Sequence, residues 1–159
     1  MKKLTLLGST GSIGLNTLDV VREFPQQFRI EALSCRRSIE QLAEQIREFQ
    51  PKIVCVDKGE QAGELKQIFS NTEFVYGMKG LLQISTDPGV DLVVSGIVGA
   101  AGLKPTFSAL KAGKTVAIAN KEPLVMAGEL MMQTAIESGA KMLPADSEHN
   151  AIFQALNNE

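Results

Sequence analysis

Three glycines, Gly8, Gly11 and Gly14, stand at the spacing G-x-x-G-x-x-G in "LTLLGSTGSIGLNTLDVV". An apolar run precedes them and a helical pattern follows, the context in which such a loop can cradle a dinucleotide. The first glycine permits the tight turn, the second lets a pyrophosphate approach the backbone, and the third permits close packing of helix on strand. The amides at the helix start then favour the anion. Ser9, Thr10 and Ser12 are expected to add hydroxyl donors beside it. The plainer reading is a turn that only joins strand to helix.

Further polar groups fall at the ends of later apolar runs. After "RIEALS" come Cys35, Arg36, Arg37 and Ser38. A site that prefers NAD places Asp or Glu here to bond the ribose hydroxyls, whereas guanidiniums suit a 2′-phosphate. The residues therefore favour NADP, although Arg36 and Arg37 also fit solvated charges ahead of a helix. "TVAIANKEPLV" ends its apolar run in Asn120, Lys121 and Glu122. A Lys at that point can hold an anionic or carbonyl oxygen, and an Asn amide can fix a nicotinamide or ribose. An N-cap Asn beside a surface ion pair is the alternative. "KMLPADSEHN" repeats the arrangement with Asp146, Ser147 and Glu148. Paired carboxylates suit a hard divalent cation, Mg²⁺ or Mn²⁺, yet acids at a helix start also answer the helix dipole. His149 is the single histidine, more in keeping with a structural or capping role than with a ligand.

The elements that must position these groups alternate along the chain. Apolar runs predict strands at Lys3–Leu7, Arg29–Ser34, Ile53–Val56, Phe74–Tyr76, Leu92–Ile97, Thr115–Ala119 and Lys141–Pro144. Between them, helices are expected at Ile13–Phe24, Ile39–Phe49, Gln61–Phe69, Lys79–Ile84, Lys104–Ala112, Pro123–Ser138 and His149–Leu156. Ile39, Leu42, Ala43, Ile46 and Phe49 recur at helical spacing. Aliphatic strands alternating with helices imply an α/β fold: a Rossmann-like, doubly wound, mostly parallel sheet with helices on both faces. In "VVSGIVGAAGL", Gly99, Ala100, Ala101 and Gly102 either leave room for a ligand across the sheet or let helix and strand pack closely.

Composition sets outer bounds. A chain of 159 residues with 44% hydrophobic and 5% aromatic content can bury one aliphatic core. Its net charge of −2 gives no reason to expect nucleic acid or an anionic membrane as partner. The apolar run before Gly8 is too short for a signal-peptide core, and no stretch approaches a membrane span. Cys35 and Cys55 form no metal-type or redox-type pair, so a reducing, cytoplasmic setting is expected.

Together, "LGSTGSIG" with "TLDVV", "IVGAAGL", "GKTVAIANKE" and "LPADSEHNAIFQ" closely resemble the 1-deoxy-D-xylulose 5-phosphate reductoisomerase family. The resemblance runs in order along essentially the whole chain. It implies a metal-assisted rearrangement of 1-deoxy-D-xylulose 5-phosphate and its NADPH-dependent reduction to 2-C-methyl-D-erythritol 4-phosphate, in non-mevalonate isoprenoid biosynthesis. It further implies that Thr10, Gly11, Ser12 and Ile13 hold the cofactor phosphates, with Arg36, Arg37 and Ser38 at the 2′-phosphate. Asn120 and Glu122 would contact the cofactor. Lys121, Ser147 and Glu148 would meet the substrate, with Lys121 and Glu148 catalytic, and Asp146 and Glu148 would ligate Mg²⁺ or Mn²⁺. Family members commonly carry Gly-Lys-Asn or similar at positions 36 to 38, Ser at 123 and Val at 145. They also extend well beyond "HNAIFQ", and the full-length enzyme is expected to be a homodimer. Residues 1–159 are therefore expected to form a single NADP-binding domain that ends where a catalytic domain begins, binding NADPH without turnover. The alternatives are a stand-alone NADP-binding regulatory module, or a small NADP-dependent semialdehyde or sugar dehydrogenase, which would need a catalytic Cys or His near the nicotinamide.

Overall fold

The computed structural model describes residues 1–119 and 122–145. Asn120, Lys121, Asp146, Ser147, Glu148 and the expected helix His149–Leu156 lie outside the described residues. Strands β1 (Lys2–Leu7), β2 (Phe28–Ser34), β3 (Ile53–Val56), β4 (Glu73–Tyr76), β5 (Leu92–Ser95), β6 (Thr115–Ile118) and β7 (Lys141–Pro144) alternate with helices. The helices are α1 (Ser12–Glu23), α2 (Ile39–Phe49), α3 (Gly59–Ile68), α4 (Gly77–Ser85), α5 (Leu103–Lys111) and α6 (Glu122–Ser138). Among the described residues the strands form one sheet in the order β4-β3-β2-β1-β5-β6-β7. Every neighbouring pair is parallel, so the expected Rossmann-like architecture is present in all-parallel form.

Two aliphatic cores follow from the period-two alternation of the strands. Leu4, Leu6, Val54 and Val56 point to one face, where Leu18 and Val21 of α1, Leu42 and Ile46 of α2 and Leu65 of α3 cover them. Leu7, Ile53, Val93, Val116 and Ile118 point to the other, against Ile84 of α4, Leu110 of α5 and Met131 of α6. Leu6, Leu18, Leu33 and Leu42 are fully buried, and truncating any one of them to Ala would cost about 2–5 kcal/mol. A register shift accompanies this pattern: Leu4 pairs with Ile30 but Thr5 pairs with Ala32, leaving Glu31 as an extra residue. The bulge is why Ile30 and Leu33, three apart, share the first core.

Several expected boundaries move by one or two residues, as where α3 and α4 begin two residues before Gln61 and Lys79; two differences bear on the crevice. The run Leu92–Ile97 leaves the sheet after Ser95. Ile97 is apolar because it packs into the second core, not because it extends the strand. The expected helix Pro123–Ser138 begins at Glu122 and breaks at Ala127, whose φ of −150° and ψ of 26° are non-helical. Gly128, a poor helix former, follows it.

The connection from β4 through α4 returns across the sheet to place β5 beside β1. Strand order reverses there, and the crevice at the carboxyl ends of β1 and β5 is where open parallel sheets bind ligands. The glycine loop closes one side of that crevice.

Candidate dinucleotide-binding site

Each glycine of the loop meets different surroundings. Gly8 has φ +82°, and a Cβ there would lie 3.0 Å from the Gly96 carbonyl oxygen. A Cβ on Gly14 would lie 2.4 Å from the carbonyl oxygens of both Gly8 and Ser9, so only glycine fits between helix and loop. At Gly11 the nearest atom to a built Cβ is Gly8 O at 3.5 Å, an ordinary contact. Gly11 is exposed, so its missing side chain opens the loop to the outside. The turn and packing expected of Gly8 and Gly14 thus have a steric cause, while Gly11 is open.

The loop is fastened from below. Gly8 N donates to Ser34 Oγ at 3.0 Å, and Ser9 N donates to Ser34 O at 2.8 Å. The Ser9 hydroxyl donates to Gln45 Oε1 at 2.6 Å, while Gln45 Nε2 donates to Ser9 O at 3.0 Å. Ser9 is 0% exposed. The expectation that Ser9 offers a hydroxyl to the anion is therefore corrected: its hydroxyl faces the core and is consumed by Gln45. Thr10 Oγ1 lies 3.2 Å from Cys35 Sγ, which takes part of its hydrogen-bonding capacity. Ser12, exposed at the first position of α1, remains open to a ligand.

Above this floor the start of α1 is bare. Gly11 is its N-cap, no side chain caps it, and its first turn holds no acid. Leu15 N donates to Gly11 O at 2.9 Å. Among the described residues, none accepts from the amides of Thr10, Ser12, Ile13 or Gly14, which leaves them for an anion. The Ile13 side chain turns inward to the first core, so only its backbone is offered. By contrast α2, α3 and α6 carry Glu40, Glu60 and Glu122 in their first turns.

At the end of β2, Arg36, Arg37 and Ser38 are all exposed. Arg36 Nε lies 3.8 Å from Asp57 Oδ2, a long contact between exposed groups. Among the described residues Arg37 has no ion pair. Ser38 is the N-cap of α2 but makes no side-chain capping bond, so its hydroxyl is available beside Arg37. Because Glu40 already answers the dipole of α2, a phosphate here would be held by side chains and not by helix amides.

The second half of the crevice is built from the ends of β5, β6 and β7. Gly96 N donates to Leu7 O at 2.9 Å, and a Cβ at Gly96 would come within 3.0 Å of that same oxygen. Gly96 is thus required where β5 closes on β1, a position the glycine spacing did not single out. Of the small residues that follow, Gly102 sits 2.9 Å (as a built Cβ) from Ile97 O and serves packing, while Gly99 has φ +76° and open space around it. Ala119 N donates to Ser95 O at 3.3 Å, and Ala145 N donates to Ile118 O at 3.0 Å. Ala119 and Ala145 therefore mark adjacent strand ends, at the same carboxyl end of the sheet as the glycine loop. Glu122, half-buried, opens α6.

The cysteines are unsuited to nucleophilic work. Both are free and buried, and burial, with Asp57 adding to it, pushes the Cys55 thiol up to about 12. A cavity of about 460 Å³ lies at the opposite end of the sheet, among Lys2, Val90, Asp91, Lys114 and Thr115. Two of its polar residues pin strand starts: Lys114 Nζ donates to Val90 O at 2.7 Å, and Asp91 Oδ2 accepts from Lys3 N at 2.8 Å. The glycine loop, with its unpartnered amides, is the better ligand site. Among the described residues no group of three His, Cys, Asp or Glu is placed to hold a metal, and no helix is long and apolar enough to cross a membrane.

Comparison with known proteins agrees with this geometry. The sequence model of the 1-deoxy-D-xylulose 5-phosphate reductoisomerase family matches residues 4–128. The reductoisomerase of that name from Shouchella clausii is 52% identical over 160 residues, covering 100% of this chain and 42% of the relative. A solved reductoisomerase in complex with NADPH, fosmidomycin and magnesium superposes with TM-score 0.93 at 44% identity, over 97% of this chain and 38% of the other. The Zymomonas mobilis reductoisomerase in complex with NADPH gives TM-score 0.90 at 39% identity, over 96% and 41%. The chain thus spans about two-fifths of the length of the curated relatives it matches.

Proposed function

This chain belongs to the 1-deoxy-D-xylulose 5-phosphate reductoisomerase family, and from that premise we propose that it serves as the NADPH-binding part of such an enzyme. The observation that carries the reading is the opening at Gly11 above the bare start of α1, where backbone amides without partners meet space for a pyrophosphate. In this reading Thr10, Gly11, Ser12 and Ile13 hold the pyrophosphate. The 2′-phosphate sits against Arg37 and Ser38. Arg36, already drawn toward Asp57, contributes less. The nicotinamide end reaches Asn120 and Glu122 at the far side of the crevice.

The whole enzyme would rearrange 1-deoxy-D-xylulose 5-phosphate and reduce the product to 2-C-methyl-D-erythritol 4-phosphate with NADPH. Lys121, Ser147 and Glu148 would meet the sugar phosphate. Asp146 and Glu148, oxygen donors suited to a hard cation, would hold Mg²⁺ or Mn²⁺. Such a cation polarises a substrate oxygen as a Lewis acid. Residues 1–159 act in this account as one NADP-binding domain next to the catalytic part of the longer relatives, in a cytoplasmic homodimer with no nucleic-acid or membrane partner. The 159-residue chain by itself binds NADPH without turning over substrate. A semialdehyde-type dehydrogenase is disfavoured by the buried Cys55, whose thiol stays protonated at neutral pH.

Calorimetric titration tests the assignment. NADPH should bind at least tenfold more tightly than NADH, and Arg37→Ala should remove most of that difference by weakening NADPH alone. Equal affinities for the two cofactors in the wild-type chain would refute it.

A further inference from the structure

Gln45 occupies a place that its neighbours on α2 give to apolar residues. It lies three residues after Leu42 and four before Phe49, on the face that packs against the sheet, and is 4% exposed. Both ends of its amide are spent on one residue: Oε1 accepts from the Ser9 hydroxyl at 2.6 Å and Nε2 donates to Ser9 O at 3.0 Å. Retaining a polar amide in an aliphatic core is costly unless it is fully bonded, and this one is bonded to the floor of the glycine loop.

The bond to Ser9 O has a consequence on the other side of the peptide. In a trans peptide unit the carbonyl and the following N–H point in opposite directions. Drawing Ser9 O down toward α2 therefore turns the Thr10 N–H upward, toward the mouth of the loop, where no described residue accepts it. Ser9 O is also one of the two oxygens that would crowd a Cβ at Gly14, at 2.4 Å, so its position bears on how deeply α1 seats on the loop. We propose that Gln45 is a positioning residue for cofactor binding: it never touches the dinucleotide, but it fixes the Ser9–Thr10 peptide so that the Thr10 amide and the start of α1 face the pyrophosphate.

This inference rests on the NADPH assignment above, and its test keeps the two apart. NADPH and adenosine 2′-monophosphate are titrated into the 159-residue chain and into Gln45→Met, which preserves volume but offers neither hydrogen bond. Adenosine 2′-monophosphate carries the adenine and 2′-phosphate but no pyrophosphate. Q45M should weaken NADPH tenfold or more while changing adenosine 2′-monophosphate less than twofold, with circular dichroism reporting a folded chain. Gln45→Glu is the second variant, used as well should Q45M fail to fold. It keeps the acceptor for the Ser9 hydroxyl but sets a carboxylate oxygen against Ser9 O, and it too should lose NADPH selectively. A folded variant that binds NADPH within twofold of wild type overturns the proposal, as does one that loses both ligands equally. Failure of the wild-type chain to bind NADPH would instead refute the cofactor assignment, and this inference with it.

Discussion

On the β1–α1–β2–α2 side of the crevice the ligand-facing loop is held by buried hydrogen bonds, whereas on the β6–α6–β7 side a helix turns apolar side chains to solvent. Ser34, Gln45 and Cys35 all reach under the glycine loop. Farther along, Arg22 of α1 grips Glu48 of α2, with Nε to Oε1 at 2.6 Å and Nη2 to Oε2 at 2.7 Å. The same guanidinium lies 5.2 Å from the centre of the Phe49 ring. Across the crevice, α6 exposes Val125, Met126, Leu130, Met132 and Ile136 and breaks at Ala127. Its far end is anchored by Ser138 Oγ donating to Leu110 O at 2.6 Å. The contrast separates two kinds of order. The loop's shape is set by the chain itself before any ligand arrives, which lowers the ordering cost of binding. Among the described residues, the outer face of α6 has no comparable internal partner.

The sharpest way to break this comparison is at the glycines. Gly14→Ala forces a Cβ to within 2.4 Å of two carbonyl oxygens and should cost about 3 kcal/mol in urea denaturation, with NADPH binding lost alongside. Gly11→Ala meets only an ordinary contact at 3.5 Å. It should cost about 1 kcal/mol or less, from the N-cap preference for Gly over Ala, yet remove NADPH binding, because the new methyl fills the opening. Equal stability losses at the two positions would erase the distinction between packing and approach.

A smaller effect is expected at the clamp between α1 and α2. The hydrogen bonds from Arg22 hold the Glu48 carboxyl below its ordinary value of 4.5, against the opposing effect of its partial burial. A carboxyl depressed in the folded state contributes stability above its unfolded value and loses it as pH falls through the lowered one. Both side chains are more than two-fifths exposed, so solvent screening limits the contribution to below about 1 kcal/mol. Glu48→Gln should therefore lower stability slightly at pH 7. In urea melts the difference from wild type should shrink as pH falls below the ordinary carboxylate range and vanish once the folded-state carboxyl is protonated. The smallest effect belongs to the other side: Ile136→Ser, at a residue 78% exposed, should change stability by less than about 0.5 kcal/mol. A larger loss would mean that the outer face of α6 is covered in solution.

Much of this arrangement is legible in the order of residues, and the exceptions have physical causes. Aliphatic runs such as Ile53–Val56 and Lys141–Pro144 coincide with strands end to end, because both boundaries are marked by a change of pattern. Leu92–Ile97 overruns because burial makes Ile97 apolar whether or not it is in the sheet. The glycine spacing marks the loop but not that the Ser9 hydroxyl turns to the core. Whether a hydroxyl next to a turn faces ligand or core depends on the Gln45 that meets it 36 positions along the chain. Gln45 did leave a trace: a polar residue on the apolar stripe of α2. Gly96 left none, since its need for close approach arises only when β5 is seated beside β1. Asn120, Lys121, Asp146, Ser147 and Glu148 lie outside the described residues, which reach the strand ends at Ala119 and Ala145.

The most direct test of the central claim is an NADPH titration of the isotopically labelled chain, followed by amide chemical shifts. The account predicts shifts at Thr10, Ser12, Ile13, Gly14 and Arg37, with Ile136 near the far end of α6 and Lys2 and Lys114 at the opposite end of the sheet unmoved. Shifts centred on Lys2, Asp91 and Lys114, with the glycine loop silent, would contradict it.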